Sequence, residues 1–233
     1  GRGAPRPPAP PRAPRTPPSS PASSKKPRGG VDIRIHRDTP IGAAVHASRS
    51  SIAKVHTIPR SAPTVEVVSA RLRPGENGVY RGAQSILQMS ADGLSPRLTF
   101  AHEIGHYLDH TVLGTVTTNF ESRMLTDPRT QGWLDAVNDS ESVRRLHALR
   151  ADPTTPADIR QHLEYVTKPV ELWGRSYAQY CATRSADATM LDEIRAFRAS
   201  SDLWTANRQW GTTEFEPVAA AIDGILRGKG LLK

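Results

Sequence analysis

Apolar and polar residues alternate with a period of two at several places in the first half of the chain, and with helical spacing through most of the second half. Val31-Asp32-Ile33-Arg34-Ile35-His36-Arg37 alternates residue by residue, which predicts a half-buried strand from Val31 to Arg37. Thr39-Pro40 breaks that pattern. A short helix is expected from Ile41 to Ser51, then strands from Ile52 to Ile58 and from Val65 to Leu72. Arg73-Pro74-Gly75-Glu76-Asn77-Gly78 is a turn signal, after which Val79 to Arg81 is extended again. Ser85 to Met89 is the last expected strand, so these pieces make a small sheet.

From residue 95 onwards the period changes to that of helices. Ser95 suits an N-cap, Pro96 a first helical turn and Gly114 a stop. From Thr115 to Ser140 the chain is polar and rich in turn residues, including Asp127-Pro128, and is expected to wrap over a cleft. Further helices are expected over Ser142 to Arg150, Ala157 to Val166, Pro169 to Tyr180, Ala188 to Ala199 and Glu214 to Leu226. The last carries Phe215, Val218, Ala219, Ile222 and Ile225 on one stripe, and Trp204, Trp210 and Phe215 are expected to cover the core. Strands first and helices after them predict an α+β domain with a helical C-terminal half.

Composition separates an N-terminal tail from that domain. Residues 1–30 hold ten of the twenty prolines, seven Lys or Arg, no acid, and alanine as the only apolar type. Such a segment buries too little surface to offset its ordering entropy, so residues 1–30 are expected to be a disordered Pro/Arg-rich linker or tail before a domain of residues 31–233. All seven positive charges belong to this tail, so the net charge of +8 leaves +1 for the domain. A nucleic-acid-binding core is therefore not indicated, although the tail offers weak electrostatic contact to an acidic surface or nucleic acid. The sequence shows no initiator Met, no signal peptide and no membrane span, and reads as a module of a longer polypeptide. One cysteine, Cys181, excludes an internal disulfide and a Cys-rich zinc site; its neighbours Tyr177, Ala178 and Tyr180 mark it as a small buried hydrophobe.

Chemistry concentrates in Leu98 to His110, where His102-Glu103-Ile104-Gly105-His106 has the H-E-x-x-H spacing. On a helix, His102 and His106 lie one turn apart on one face, where two imidazoles reach a single ion. Glu103 points about 100° away, too far round to bind that ion but within reach of a water on it, which suits a general base. Phe100, Ala101, Ile104 and Leu108 give the same helix an apolar side. The rival reading is an ordinary helix that carries histidines by chance. His110 falls about 12 Å along the axis from His102, so it reads as a helix-end or outer residue, and Asp109 as an orienting partner for a ligand imidazole.

The run from Leu98 to His110 resembles the active-site helix of the zincin metallopeptidases, in the His-Glu-Ile-Gly-His form frequent in phage and bacterial toxin-associated members. The resemblance implies a zinc-dependent hydrolase with a small mixed sheet above the active-site helix, and an edge strand along which an extended substrate pairs. Ser85 to Met89 is expected in that role, against an ordinary central strand. Glu171 lies on a second helix as the downstream glutamate of the gluzincin group does, which implies His102, His106 and Glu171 as zinc ligands and Glu103 as the catalytic base. The run Pro169-x-Glu171-Leu172-x-x-Arg175-x-Tyr177 also resembles phage-associated metallopeptidases, and Arg175 stands where the thermolysin-like pattern has an acid.

Several assignments stay open at this point. Glu164, Glu121 and Asp109 are alternative third ligands, and Glu171 with Arg175 has the spacing of a surface ion pair. Arg175 is otherwise a partner for a substrate carboxylate or an active-site acid. Tyr165 and Tyr177 are candidates for a phenol that stabilises an oxyanion, while His147 and His162 read as surface residues. The expected activity is hydrolysis of a protein or peptide by a module that is secreted, injected or delivered as part of a larger effector or phage protein. The alternatives are a non-catalytic module of the same fold and a nucleic-acid-associated protein acting through its tail.

Overall fold

The computed structural model describes residues 30–114 and 120–232. The expected tail falls on residues 1–29 and so lies outside the described residues, apart from Gly30. Gly30 already belongs to the domain, because its carbonyl accepts the Val65 N–H at 2.9 Å.

A βαβ unit opens the domain. β1 (Val31–Ile33) leads into α1 (Pro40–Val55) and then β2 (Val65–Ala70), which pairs parallel with β1. The alternating run therefore ends as a strand at Ile33 and not at Arg37, although Arg34 N–H still reaches the Val67 carbonyl. The expected strand from Ile52 to Ile58 is corrected as well: the helix runs on through it to Val55. Ile41, Val45, Ser48 and Ile52 are buried along one face at spacings of four, three and four, a stripe that only a continuous helix aligns. Thr39 Oγ1 caps α1 by accepting the Gly42 N–H, and Pro40 occupies its first turn.

β3 (Gly78–Arg81) and β4 (Ile86–Ser90) complete a four-stranded sheet in the order β1-β2-β4-β3. β4 runs parallel to β2 and antiparallel to β3, so the sheet is mixed. Val65 and Val67 of β2 and Leu87 and Met89 of β4 point into the core at alternate positions. β4 is thus a central strand, and the edge role expected for Ser85 to Met89 falls to β3.

α2 (Pro96–Leu108) buries Leu98, Phe100, Ala101, Ile104 and Leu108 in the same core. Ser95 does not cap it with its side chain: its backbone is left-handed (φ 50°) and makes no side-chain cap bond. Glu193 does the capping from α8 (Ala188–Arg198), accepting the Arg97 N–H at 3.3 Å and the Leu98 N–H at 2.7 Å. At its other end α2 passes into a π-helical turn, Asp109–Leu113, closed by the Gly114 N–H on the Asp109 carbonyl.

The C-terminal half is helical, as its periodicity predicts. α3 (Glu121–Met124) and α4 (Pro128–Asp139) replace the expected wrapping loop over 120–139, and Trp133 and Val137 of α4 are fully buried. α5 (Glu141–Ala151) and α6 (Ala157–Val166) follow, then α7 (Pro169–Ser185), α8, the short α9 (Leu203–Ala206) and α10 (Thr212–Gly228). Trp210 and Phe215 join the core, while Trp204 packs on a smaller cluster of Leu146, Leu163 and Val166. Among the described residues no helix is long and apolar enough to cross a membrane.

α7 lies directly on α2. Gly105 faces Gly174 so closely that a Cβ on Gly105 would stand 3.2 Å from the Gly174 Cα. The Trp173 indole N–H donates to the Gly105 carbonyl at 2.9 Å, and Tyr177 packs against the same glycine. This contact sets the distance between the two helices.

Removing the carboxylate cap of α2 leaves two helix N–H groups without a partner. Glu193→Ala is expected to destabilise the fold by about 1–2 kcal/mol, read as a lower urea midpoint at unchanged slope. An unchanged midpoint would contradict the capping role.

Candidate metal centre

His102 and His106 project from the middle of α2 towards Glu171 in the first turn of α7. His102 Nε2 lies 3.5 Å from one Glu171 oxygen and His106 Nε2 lies 3.8 Å from the other. One donor atom from each of the three residues falls within 4.8 Å of the others, the only such cluster of His, Cys, Asp and Glu found among the described residues. Residues 65 apart in sequence therefore meet around one point, which is the ligand set expected from the sequence. Glu164 is exposed on α6, and Glu121 is buried elsewhere, accepting from the Thr126 hydroxyl and the Asp127 N–H.

The donors fit a cation better than they fit each other. His106 is buried, its Nδ1 has no hydrogen-bond partner, and its Nε2 stands 3.8 Å from Glu171. A separation of 3.8 Å is too long for a hydrogen bond between Nε2 and Glu171 and leaves the lone pair of that nitrogen open to an ion. Burial, reinforced by the charge of His102, lowers the His106 pKa to about 3 against the pull of Glu171. It is therefore a neutral imidazole, the form that binds a metal. For Glu171, burial favours the neutral acid, but its bonds to His102 and Tyr165 and the neighbouring imidazoles prevail and bring its pKa to about 2. Two imidazoles with one carboxylate are a donor set for zinc. The His102 ring also sits in a close-fitting cradle: a Cβ on Gly174 would lie 2.7 Å from its Cε1.

Glu103 turns away from the three ligands and under the edge strand β3, where the Tyr80 backbone N–H bonds to its carboxylate. Burial raises its pKa to about 7; His102 and the Tyr80 N–H lower it, and the charge of Glu171 adds to the rise. A carboxylate poised near neutrality can both accept and return a proton.

The surroundings sort the remaining candidates. Tyr165 belongs to the site: its hydroxyl bonds to Glu171, and its pKa is raised by burial and by that carboxylate. Tyr177 does not, since its hydroxyl pairs with His56 Nε2 at 2.6 Å on the far side of α2. Asp109 orients no ligand imidazole; it turns to α3 and accepts from the Ser122 N–H and hydroxyl. His110 is not surface but buried, stacked on Phe120 with Nδ1 3.1 Å from the Tyr80 hydroxyl. Arg175 makes no ion pair with Glu171, and instead donates to the carbonyls of Arg208 and Val166 and covers the Trp210 ring. His162 is not simply a surface residue either, because its Nε2 is buried and feels the charges of Arg208, Arg175 and Glu171. Tyr165 was singled out in the sequence as an oxyanion phenol, whereas its hydroxyl is here a partner of Glu171; the Tyr80 N–H on Glu103 had no counterpart, since a backbone donor leaves no signature in residue type.

Comparison of the chain with protein-family models, with curated proteins and with solved structures returned no match. Inference about function accordingly rests on the geometry of the site.

Were a metal held by His102, His106 and Glu171, Gly174→Ala would weaken its binding about tenfold by displacing the His102 ring, with helix content unchanged; competition with a chelating dye measures the affinity, and an unaltered value would contradict the cradle. Asp109 gives a pH dependence of stability. Burial raises its folded pKa to about 7 in spite of the Ser122 bonds, so the native state holds a proton that the unfolded chain has released. Its contribution to stability is greatest at low pH and is lost as pH rises from about 4 to about 7. Asp109→Asn should flatten the change in melting temperature between pH 5 and pH 8, whereas a slope equal to the parent's would contradict the assignment.

Proposed function

We propose that this chain is a zinc-dependent metallopeptidase, with His102, His106 and Glu171 as the metal ligands and Glu103 as general base. The observation that carries the reading is the convergence of one donor atom from each of the three ligands within 4.8 Å, with a carboxylate of raised pKa on the neighbouring residue. The fold is consistent with a zincin of the gluzincin type: a mixed sheet stands over the active-site helix, and the third ligand comes from a second helix. Zinc, when bound, supplies a Lewis acid that brings the pKa of a coordinated water towards neutrality.

The chain's own groups account for the rest of an amide hydrolysis. Glu103 accepts a proton at its carboxylate, and the same carboxylate returns that proton to the departing amine. The Tyr80 N–H holds Glu103 in place, and the Tyr165 hydroxyl fixes one side of the Glu171 carboxylate. β3 ends the sheet on the side of Glu103, so its outer edge is where an extended peptide would pair by backbone hydrogen bonds. A protein or peptide is the substrate class that such an edge receives.

Elemental analysis of the purified chain should give about one zinc per molecule, lost in His102→Ala and in Glu171→Ala. Glu103→Gln should keep the metal and lose hydrolysis of casein by about a hundredfold or more. A parent that holds zinc stoichiometrically and cleaves no protein would instead favour a non-catalytic module, and zinc retained without Glu171 would overturn the ligand set.

A further inference from the structure

A second group of charges lies beside Glu171 and is unused by the chemistry above. Arg175, on the turn of α7 after Glu171, is 3% exposed. Its two terminal nitrogens are taken by backbone carbonyls and its Nε has no partner. Arg208, in the segment between α9 and α10, holds its guanidinium over the Phe197 ring, also with Nε unpartnered. Among the described residues no carboxylate lies within 4.0 Å of either guanidinium. His162 adds a third buried nitrogen without a partner, and Lys168 stands over the ring of Tyr165, which is half exposed.

The charges in this corner do not balance. The Arg175 guanidinium is buried and that of Arg208 half-buried, and Glu171, the anion whose charge both of them feel, is one of the three residues placed to hold a metal ion. Once a divalent ion is bound there, Glu171 no longer offsets them. A buried guanidinium without an anion is costly, and a planar fork of donors matches a carboxylate in particular. Arg175 is locked onto two carbonyls, so Arg208 is the group free to make the match.

We propose that Arg208, backed by Arg175, forms a carboxylate-binding subsite next to the metal ligand Glu171, and that the favoured peptide carries an acidic side chain or a free C-terminal carboxylate beside the cleaved bond. The assignment of that peptide as substrate rests on the peptidase reading; the subsite itself does not.

The test uses the full-length, zinc-loaded Glu103→Gln protein, which can bind peptides without cleaving them. Three sets of hexapeptides are titrated calorimetrically: amidated peptides with one glutamate scanned through each position, peptides with glutamine there and a free C-terminus, and peptides with neither carboxylate. At least one carboxylate set should bind about tenfold or more tightly than the neutral set, and the set that gains identifies the source of the carboxylate. Adding Arg208→Gln should reduce that preference to within about twofold. Should that variant fail to melt cooperatively, Arg208→Lys decides the matter, because it keeps the charge but loses the fork and should lower the preference about threefold or more. Equal binding of acidic and neutral peptides, no binding of any set, or a preference that survives these substitutions overturns the proposal. Casein cleavage by the parent chain reads the peptidase assignment separately: a parent that cleaves nothing while the preference holds removes that assignment and leaves the subsite.

Discussion

The close packing of α2 on α7 is the constraint on which the rest of the structure depends. The two helices meet at Gly105 and Gly174, where a side chain on Gly105 would crowd the Gly174 backbone and one on Gly174 would strike the His102 ring, and the Trp173 indole ties them by its bond to the Gly105 carbonyl. Tyr177 extends the contact to the end of α1 through His56. Only at this separation do imidazoles from one helix and a carboxylate from the other come within reach of a single ion. A wider spacing, with the same residues, would leave two histidines on one surface and a glutamate on another. Buried aromatic area from Trp133, Trp173 and Tyr177 supplies the driving force, at roughly 1.5–3 kcal/mol for each fully buried large side chain.

The interior also holds an unusual set of ionisable groups, and how each is satisfied separates structure from chemistry. Asp109 is held by Ser122 and fastens α3 to the end of α2, and Glu121, held by Thr126 and Asp127, ties α3 to the start of α4. Glu193 is spent on the N-terminus of that helix. Glu103 has a single backbone donor and a pKa near neutrality, His106 has no hydrogen bond at Nδ1, and Arg208 has no acid to pair with among the described residues. Groups whose bonding is complete hold the scaffold together. Those left incomplete, at a cost to stability, gather around Glu171.

Much of this was legible along the chain. The period of the apolar residues marked the helical half, the strands at Val65, Val79 and Ile86, and the face of α2 that enters the core. The spacing of His102, Glu103 and His106 placed two candidate ligands and a candidate base on one helix, because 3.6 residues per turn is a local property that sequence carries directly. Glu171 followed from a resemblance, and the fold brings its carboxylate beside both imidazoles, which a separation of 65 residues in sequence does not itself imply.

What tertiary structure decided were the relations that no local pattern encodes. The stretch from Ile52 to Val55 has strand-like residues yet completes α1, because its apolar side continues a buried helical stripe. β4 became central and β3 the edge, since strand order is set by which strands can bury their faces together and not by their order in the chain. Ser95 gave way to Glu193 as the cap of α2, and Asp109 turned to Ser122, because partners from distant elements were within bonding distance. The chain alone thus determined which residues could take part in metal chemistry. Packing determined which of them meet, what their charges become in a medium with little water, and which are left wanting a partner.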